Sequence, residues 1–161
     1  MEFAVGDKAF YPAHGVGIVR EISSIEIEGQ VYETYVLKIL ENGMTIKVPV
    51  DNAEAIGLRK VMSGEIVEAV YSVLRDRDTP ADKQVWNRRY REYMNKIKTG
   101  DPLEVAAVLR DLALLKGQKG LTFGERRMYD QAHSLILQEL SVVLDQDEQQ
   151  VRKHLATLFE E

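Results

Sequence analysis

The sequence predicts an α+β fold, with a small β-rich N-terminal half followed by an all-helical C-terminal bundle of about five helices. Two observations carry this reading. The first sixty residues hold runs of Val, Ile, Tyr and Thr separated by short polar turns. After Arg59 the apolar residues recur at the three- and four-residue spacing of helices that bury one stripe. The change of period divides the chain into 1–60 and 61–161, two small domains within 161 residues.

In the N-terminal half, strands are expected over 19–27 and 31–39, joined by the hairpin turn Glu28-Gly29-Gln30. A second turn, Glu41-Asn42-Gly43, leads into 44–50. There Met44, Ile46, Val48 and Val50 alternate with Thr45, Lys47 and Pro49, which places the first set on the core and the second on solvent. Pro49 cannot donate to a ladder, so this strand belongs at a sheet edge or ends there. Sixty residues are close to the lower limit for an independent core. A small, strongly bent barrel or half-barrel of about five strands is therefore expected.

In the C-terminal half, helices are predicted at roughly 63–76, 83–98, 102–117, 123–144 and 147–159. Ser63, Asp101-Pro102 and Thr122 with Glu125 three residues on supply start signals. Gly100, Gly117 and Gly120 sit where helices should stop.

Composition excludes several classes of function. Cysteine is absent, which removes disulfides, thiolate nucleophiles and cysteine metal sites. His14, His133 and His154 follow no metal-ligand spacing, and no Gly-rich phosphate loop occurs. The Asp145–Glu148 run lacks the glycine and bidentate glutamate of a calcium loop. No stretch reaches the ~18 apolar residues of a membrane span. The opening residues 1–8 lack the charged and apolar regions of a signal peptide, and a cytoplasmic protein without membrane contact, enzyme activity or cofactor is expected.

The net charge is −5, which argues against strong independent binding to nucleic acid. Its distribution is uneven. Residues 83–98 hold Lys83, Arg88, Arg89, Arg91, Lys96 and Lys98 against Glu92 alone, a local balance of +5. The rest of 61–161 balances at −7. Such a patch suits weak contact with DNA by a protein that a second partner positions.

The opening Val5-Gly6-Asp7-Lys8-Ala9-Phe10-Tyr11-Pro12-Ala13-His14-Gly15-Val16-Gly17 resembles the start of the CarD/CdnL family of bacterial RNA polymerase-binding transcription factors. Trp86-Asn87-Arg88-Arg89-Tyr90-Arg91-Glu92-Tyr93 is similar to that family's helical-domain motif, and Arg126-Arg127-Met128 after Phe123-Gly124-Glu125 fits its fourth helix. These segments span nearly the whole chain in the expected order. The resemblance implies a Tudor-like N-terminal module, shared with the transcription-repair coupling factor, that binds the polymerase β subunit. It also implies a C-terminal helical domain that lies against promoter DNA at the upstream edge of the melted region and stabilises the open complex. Within a cell, the polymerase would carry such a protein to the nucleoid, and a monomer is expected.

Two candidate sites follow. The polymerase surface is placed on the edge strand, with Thr45, Lys47 and Pro49 outward and Leu37 in the neighbouring segment. On pattern alone the same strand also reads as an ordinary solvated face. The neighbours Glu26 and Glu28 weigh against electrostatic contacts near Ile25, where some relatives carry a basic residue. The DNA site is placed on Trp86, Arg88, Arg89, Arg91 and Lys98. Arginine forks suit phosphate, and a flat ring can wedge against an opened base step in the minor groove with little sequence preference. On spacing alone Trp86 fits a core tryptophan equally well, and Tyr90 and Tyr93 read as packing residues rather than stacking ones. Two rival functions remain open: a polymerase-independent, sequence-specific DNA binder, and a protein-only adaptor with a buried Trp86.

Overall fold

A computed structural model describes residues 2–12, 14–76 and 86–159, without the side chains of 86–88, 118 and 119. The chain divides into two compact units, Met1–Val61 and Met62–Glu161.

The first unit is a five-stranded antiparallel sheet. Its strands are β1 (Lys8–Tyr11), β2 (Gly15–Ile27), β3 (Gln30–Ile39), β4 (Thr45–Pro49) and β5 (Arg59–Lys60). They lie in the order β4-β3-β2-β1-β5, so β4 and β5 are the two edges. A 3-10 turn (Val50–Asn52) and the short helix α1 (Ala53–Ile56) carry the chain from one edge towards the other. Glu28 and Gly29 form a two-residue turn with φ of 52° and 81°. Both signs match the primed hairpin turns whose twist fits the flanking strands. A register shift at Val19/Glu21 places a bulge in β2.

The core of this unit takes Val19, Tyr35, Leu37 and Val48 from the sheet and Phe3, Ala53 and Leu58 from the connections. The Phe3 ring meets Tyr35 edge-on at 5.5 Å, and the Tyr35 hydroxyl accepts the Phe3 N–H at 3.3 Å. The alternation expected in β4 holds: Thr45, Lys47 and Pro49 are exposed, Val48 is buried and Ile46 is half-buried. Met44 departs from it. It precedes the strand, its N–H is held by Asn42 Oδ1 at 2.9 Å, and its side chain faces solvent.

The second unit contains α2 (Gly64–Arg75), α3 (Trp86–Thr99), α4 (Pro102–Lys119), α5 (Phe123–Leu144) and α6 (Glu148–Phe159). The start signals act as predicted. Ser63 accepts from the Ile66 N–H, and Asp101 accepts from Leu103 and Glu104. Thr122 and Glu125 form a complete capping box. One stop signal does not act: Gly117 lies inside α4, which continues to Lys119 and ends at Gly120 with φ 80°. An exposed helical glycine weakens a helix by only about 1 kcal/mol, too little to end one whose preceding turns are held by packing. The predicted start at 83–85 lies outside the described residues.

A single apolar cluster joins these helices, including Val70 and Leu74 of α2, Ile97 of α3, Leu109 of α4, Ile136 and Leu140 of α5, and Leu155 of α6. Among the described residues three charged groups are buried within the unit: Glu125 of the capping box, Glu139 and Arg110. A Glu139 carboxylate oxygen accepts the Met62 N–H at 2.8 Å. The Arg110 guanidinium holds Asp111 Oδ1 at 3.0 Å and Asp76 Oδ2 at 3.5 Å, which ties the end of α2 to α4.

Candidate polymerase and nucleic-acid surfaces

The outer face of the sheet is built by alternation. Cross-strand pairs Lys38/Thr45, Val36/Lys47 and Thr34/Pro49 bring β4 and β3 side by side. Lys47 therefore stands beside Val36, with Thr45 and Pro49 one pair to either side. No strand pairs with the outer edge of β4 among the described residues. Leu37 does not belong to this surface. Its side chain is fully buried and its strand is flanked by β2 and β4, so it serves the core.

The same face continues where sequence reasoning did not look. β2 and β3 pair as far as Ile27/Gln30, whereas β1 pairs only with Gly15–Ile18 and β4 only with Thr34–Lys38. The hairpin thus outruns its neighbours as a two-stranded ribbon. On the outer face it carries the pair Ile25/Tyr32 and, one pair further, Ile27. Ile27 is 54% exposed, and Ile25 and Tyr32 are also open to solvent. Glu26 pairs with Val31 and points to the opposite face, so it does not stand among these apolar groups. The signal was present in the alternation of Ile25 and Ile27. What it lacked was the length of the neighbouring strands.

In the helical unit, α3 packs by Tyr93 and Ile97, both buried. The Tyr93 hydroxyl donates to Asp111 Oδ2 at 3.3 Å, which links α3 to the Arg110–Asp111–Asp76 cluster. With that face fixed, Arg91 and Lys98 are exposed, and Arg89 and Lys96 are half-buried. Tyr90 is 43% exposed and Tyr93 5%, so only Tyr93 is the packing residue that both were expected to be. The backbone of positions 86 and 88 belongs to α3, with position 86 one turn before Tyr90, but the Trp86 and Arg88 side chains lie outside the described residues, as does Lys83.

The start of α5 adds cations that were noted in the sequence only as a family match. Arg126 and Arg127 are exposed in its first turns, and the Arg127 guanidinium lies 5.9 Å from the centre of the Phe123 ring. Arg126 reaches Asp130 at 3.5 Å on an open surface, a pair that contributes little and leaves its charge available.

Each histidine meets a tyrosine ring: His14 on Tyr11 at 5.2 Å, His133 on Tyr129 at 5.8 Å and His154 on Tyr71 at 5.0 Å. Desolvation lowers the pKa of His133, and the cations Arg152 and Lys116 lower it further against the opposing pull of Asp130. Among the described residues no helix is long and apolar enough to cross a membrane.

Comparison with known proteins returns matches across both units. Residues 3–62 match the family described as the CarD-like/TRCF RID domain, and residues 69–156 match the family described as CarD, C-terminal domain. YdeB of Bacillus subtilis (strain 168), a candidate transcription factor by its name, is 30% identical over 154 residues, covering 93% of this chain and 97% of that protein. Among solved structures, CdnLNt from Myxococcus xanthus is 48% identical and covers 39% of this chain and 89% of that one, with a TM-score of 0.33. The 72-residue N-terminal domain of Myxococcus xanthus CarD is 39% identical and covers 38% of this chain and 81% of that one, with a TM-score of 0.32.

Proposed function

The chain belongs to the CarD/CdnL family of RNA polymerase-interacting, non-enzymatic transcription factors, and from that premise we propose that it anchors on polymerase by its sheet and holds the upstream fork of the transcription bubble by α3. The N-terminal family implies contact with the polymerase β subunit. The contact surface is the outer face with Thr45, Lys47 and Pro49, extended by Ile25, Ile27 and Tyr32. An unpaired strand edge supplies main-chain adhesion, and exposed apolar groups beside it bury area on docking. Residues 1–60 are the polymerase-binding domain and 61–161 the DNA-contacting domain. The protein works as a cytoplasmic monomer that reaches promoters through the enzyme.

The observation that carries the DNA half is the exposed cationic side of α3, Arg91 and Lys98, on a chain of net charge −5. Phosphate contacts from Arg88, Arg89, Arg91 and Lys98 position the domain without reading sequence. Trp86 occupies the opened step. Unstacking a step in a closed duplex costs a few kcal/mol, and a protein that meets an already opened fork avoids part of it. The open state is then bound more tightly than the closed one, and only such a difference shifts the equilibrium.

The test compares two promoter fragments, one forked at the upstream edge and one fully paired, each bound by polymerase plus this protein. The forked fragment should be preferred about tenfold or more, the effect of about 1.4 kcal/mol. Trp86→Ala should erase the preference while leaving polymerase binding intact. Equal affinity of the wild-type complex for both fragments would refute the proposal.

A further inference from the structure

Between α3 and the start of α5 lies a hollow of about 350 Å³, walled by Tyr90, Phe123 and Arg127 and floored by Met94 and Met128. Phe123 is 79% exposed, the most open of the large apolar side chains in the described residues. Burial of Phe123 therefore adds little to the bundle, although a phenyl ring in water is unfavourable. Across from it stands the half-open ring of Tyr90, one helical turn after position 86. Met128 is buried and Met94 half-buried, which gives a soft, polarisable floor. The charged residue of its lining is Arg127, whose guanidinium lies over the Phe123 ring, and Arg126 and Arg91 are exposed elsewhere on the same two helices.

We propose that this hollow receives one unpaired base of the melted promoter strand, stacked against Phe123 and Tyr90. This inference rests on the placement of α3 at the fork and deepens it: Trp86 fills the step that opens, and the neighbouring hollow takes a base released from it. The chemistry fits a nucleobase better than a protein helix. A docked helix needs an apolar strip several turns long. Here the hollow is only about 350 Å³, and Arg127 lines it. A base presents a flat face to aromatic rings whatever its identity, while its phosphates meet the guanidinium groups. Recognition would accordingly carry little sequence preference, and it would be available only to single-stranded DNA.

The test measures open-complex lifetime with polymerase and full-length protein, wild type, Phe123→Ala or Trp86→Ala. Each is measured on an intact promoter and on templates with one abasic position among the first unpaired nucleotides at the upstream edge of either strand. Phe123→Ala should shorten the protein-dependent lifetime about fivefold or more on the intact promoter, the low end of what one stacked base contributes. On one abasic template the wild type and Phe123→Ala should become equal. A ring is required, so Phe123→Tyr should keep the lifetime and Phe123→Leu should lose it. That pair decides the matter even if the alanine variant melts early. Unchanged lifetime with Phe123→Ala, or equal shortening on every template, overturns the base site, the latter by making Phe123 a protein contact. Loss with Trp86→Ala but not with Phe123→Ala leaves the fork reading standing and removes the hollow from it. No effect of either variant removes both.

Discussion

Glu139 sits almost wholly out of water, yet its carboxylate is needed: it satisfies the N–H of Met62, where the chain enters the helical unit. Removing the acceptor leaves a buried donor unmet. Glu139→Ala should therefore lower unfolding stability by about 1–3 kcal/mol, read as a lower urea midpoint at unchanged slope. An unchanged midpoint would mean that Met62 finds water instead. His133 gives a pH signature. Its folded pKa lies below the ordinary value of 6.5, chiefly through desolvation. The unfolded chain therefore binds its proton first as pH falls through 6.5. Stability present above pH 6.5 should be lost between 6.5 and the lowered folded value. His133→Gln should flatten that part of the wild-type curve, as followed by thermal melts across pH. At this scale the sequence was only partly legible. Helical spacing placed Tyr90 and Tyr93 in one cluster, but it could not tell which would face Asp111 and which would face solvent. Leu37 was read with an exposed segment because period-two alternation names two faces without saying which is inner. The inner face was set by Val19, Tyr35 and Val48 together.

At the scale of the element, the β2–β3 hairpin shows what pattern can and cannot supply. The turn at Glu28-Gly29 and both strands were legible from β-branched runs and a glycine. Their role was not, because a strand is exposed or covered according to how far its neighbours extend. β1 has four residues and β4 five, against thirteen in β2, so among the described residues no third strand flanks the last third of the hairpin. Ile27→Glu should consequently leave the melting temperature nearly unchanged and weaken binding to the polymerase β subunit tenfold or more in a surface-binding assay. Retained affinity would confine the contact to β4. There, Lys47→Glu with Pro49→Ala should lower the same affinity without unfolding the sheet. The helix termini were the most legible features of all. Local chemistry decides a cap, as Thr122 and Glu125 illustrate by serving each other's backbone N–H groups. Thr122→Ala should lower stability by about 1 kcal/mol, measured by chemical denaturation. Gly117 was misjudged for the opposite reason. Packing of α4 against α2 and α5 outweighs a glycine's local preference, and no single-residue signal reports that packing.

On the scale of the whole molecule, the division near residue 60 and the change from β to α followed from a change of period that no single motif carries. The family resemblance supplied partners that no periodicity contains. What ties the two units into one function is energetic. On the proposed reading, a chain of net charge −5 would be a poor autonomous DNA binder, and anchoring on polymerase would raise its effective concentration at the fork. Free protein should accordingly bind duplex DNA weakly and without sequence preference, losing what binding it has as salt rises. Tight, sequence-selective binding without polymerase in a mobility-shift titration would favour a self-sufficient regulator. Fluorescence offers a second check at this scale. An exposed, quencher-accessible Trp86 fits the wedge, whereas a blue-shifted and protected one fits a protein-only adaptor.

The most direct measurement is the lifetime of a competitor-challenged open promoter complex, with and without the protein and again with Trp86→Ala. The prediction is a longer lifetime with the wild type, lost in the Trp86→Ala variant although that variant still docks on polymerase. A wild-type protein that binds the enzyme yet leaves the rate of bubble collapse unchanged would contradict the claim that separated strands are held more tightly than paired ones.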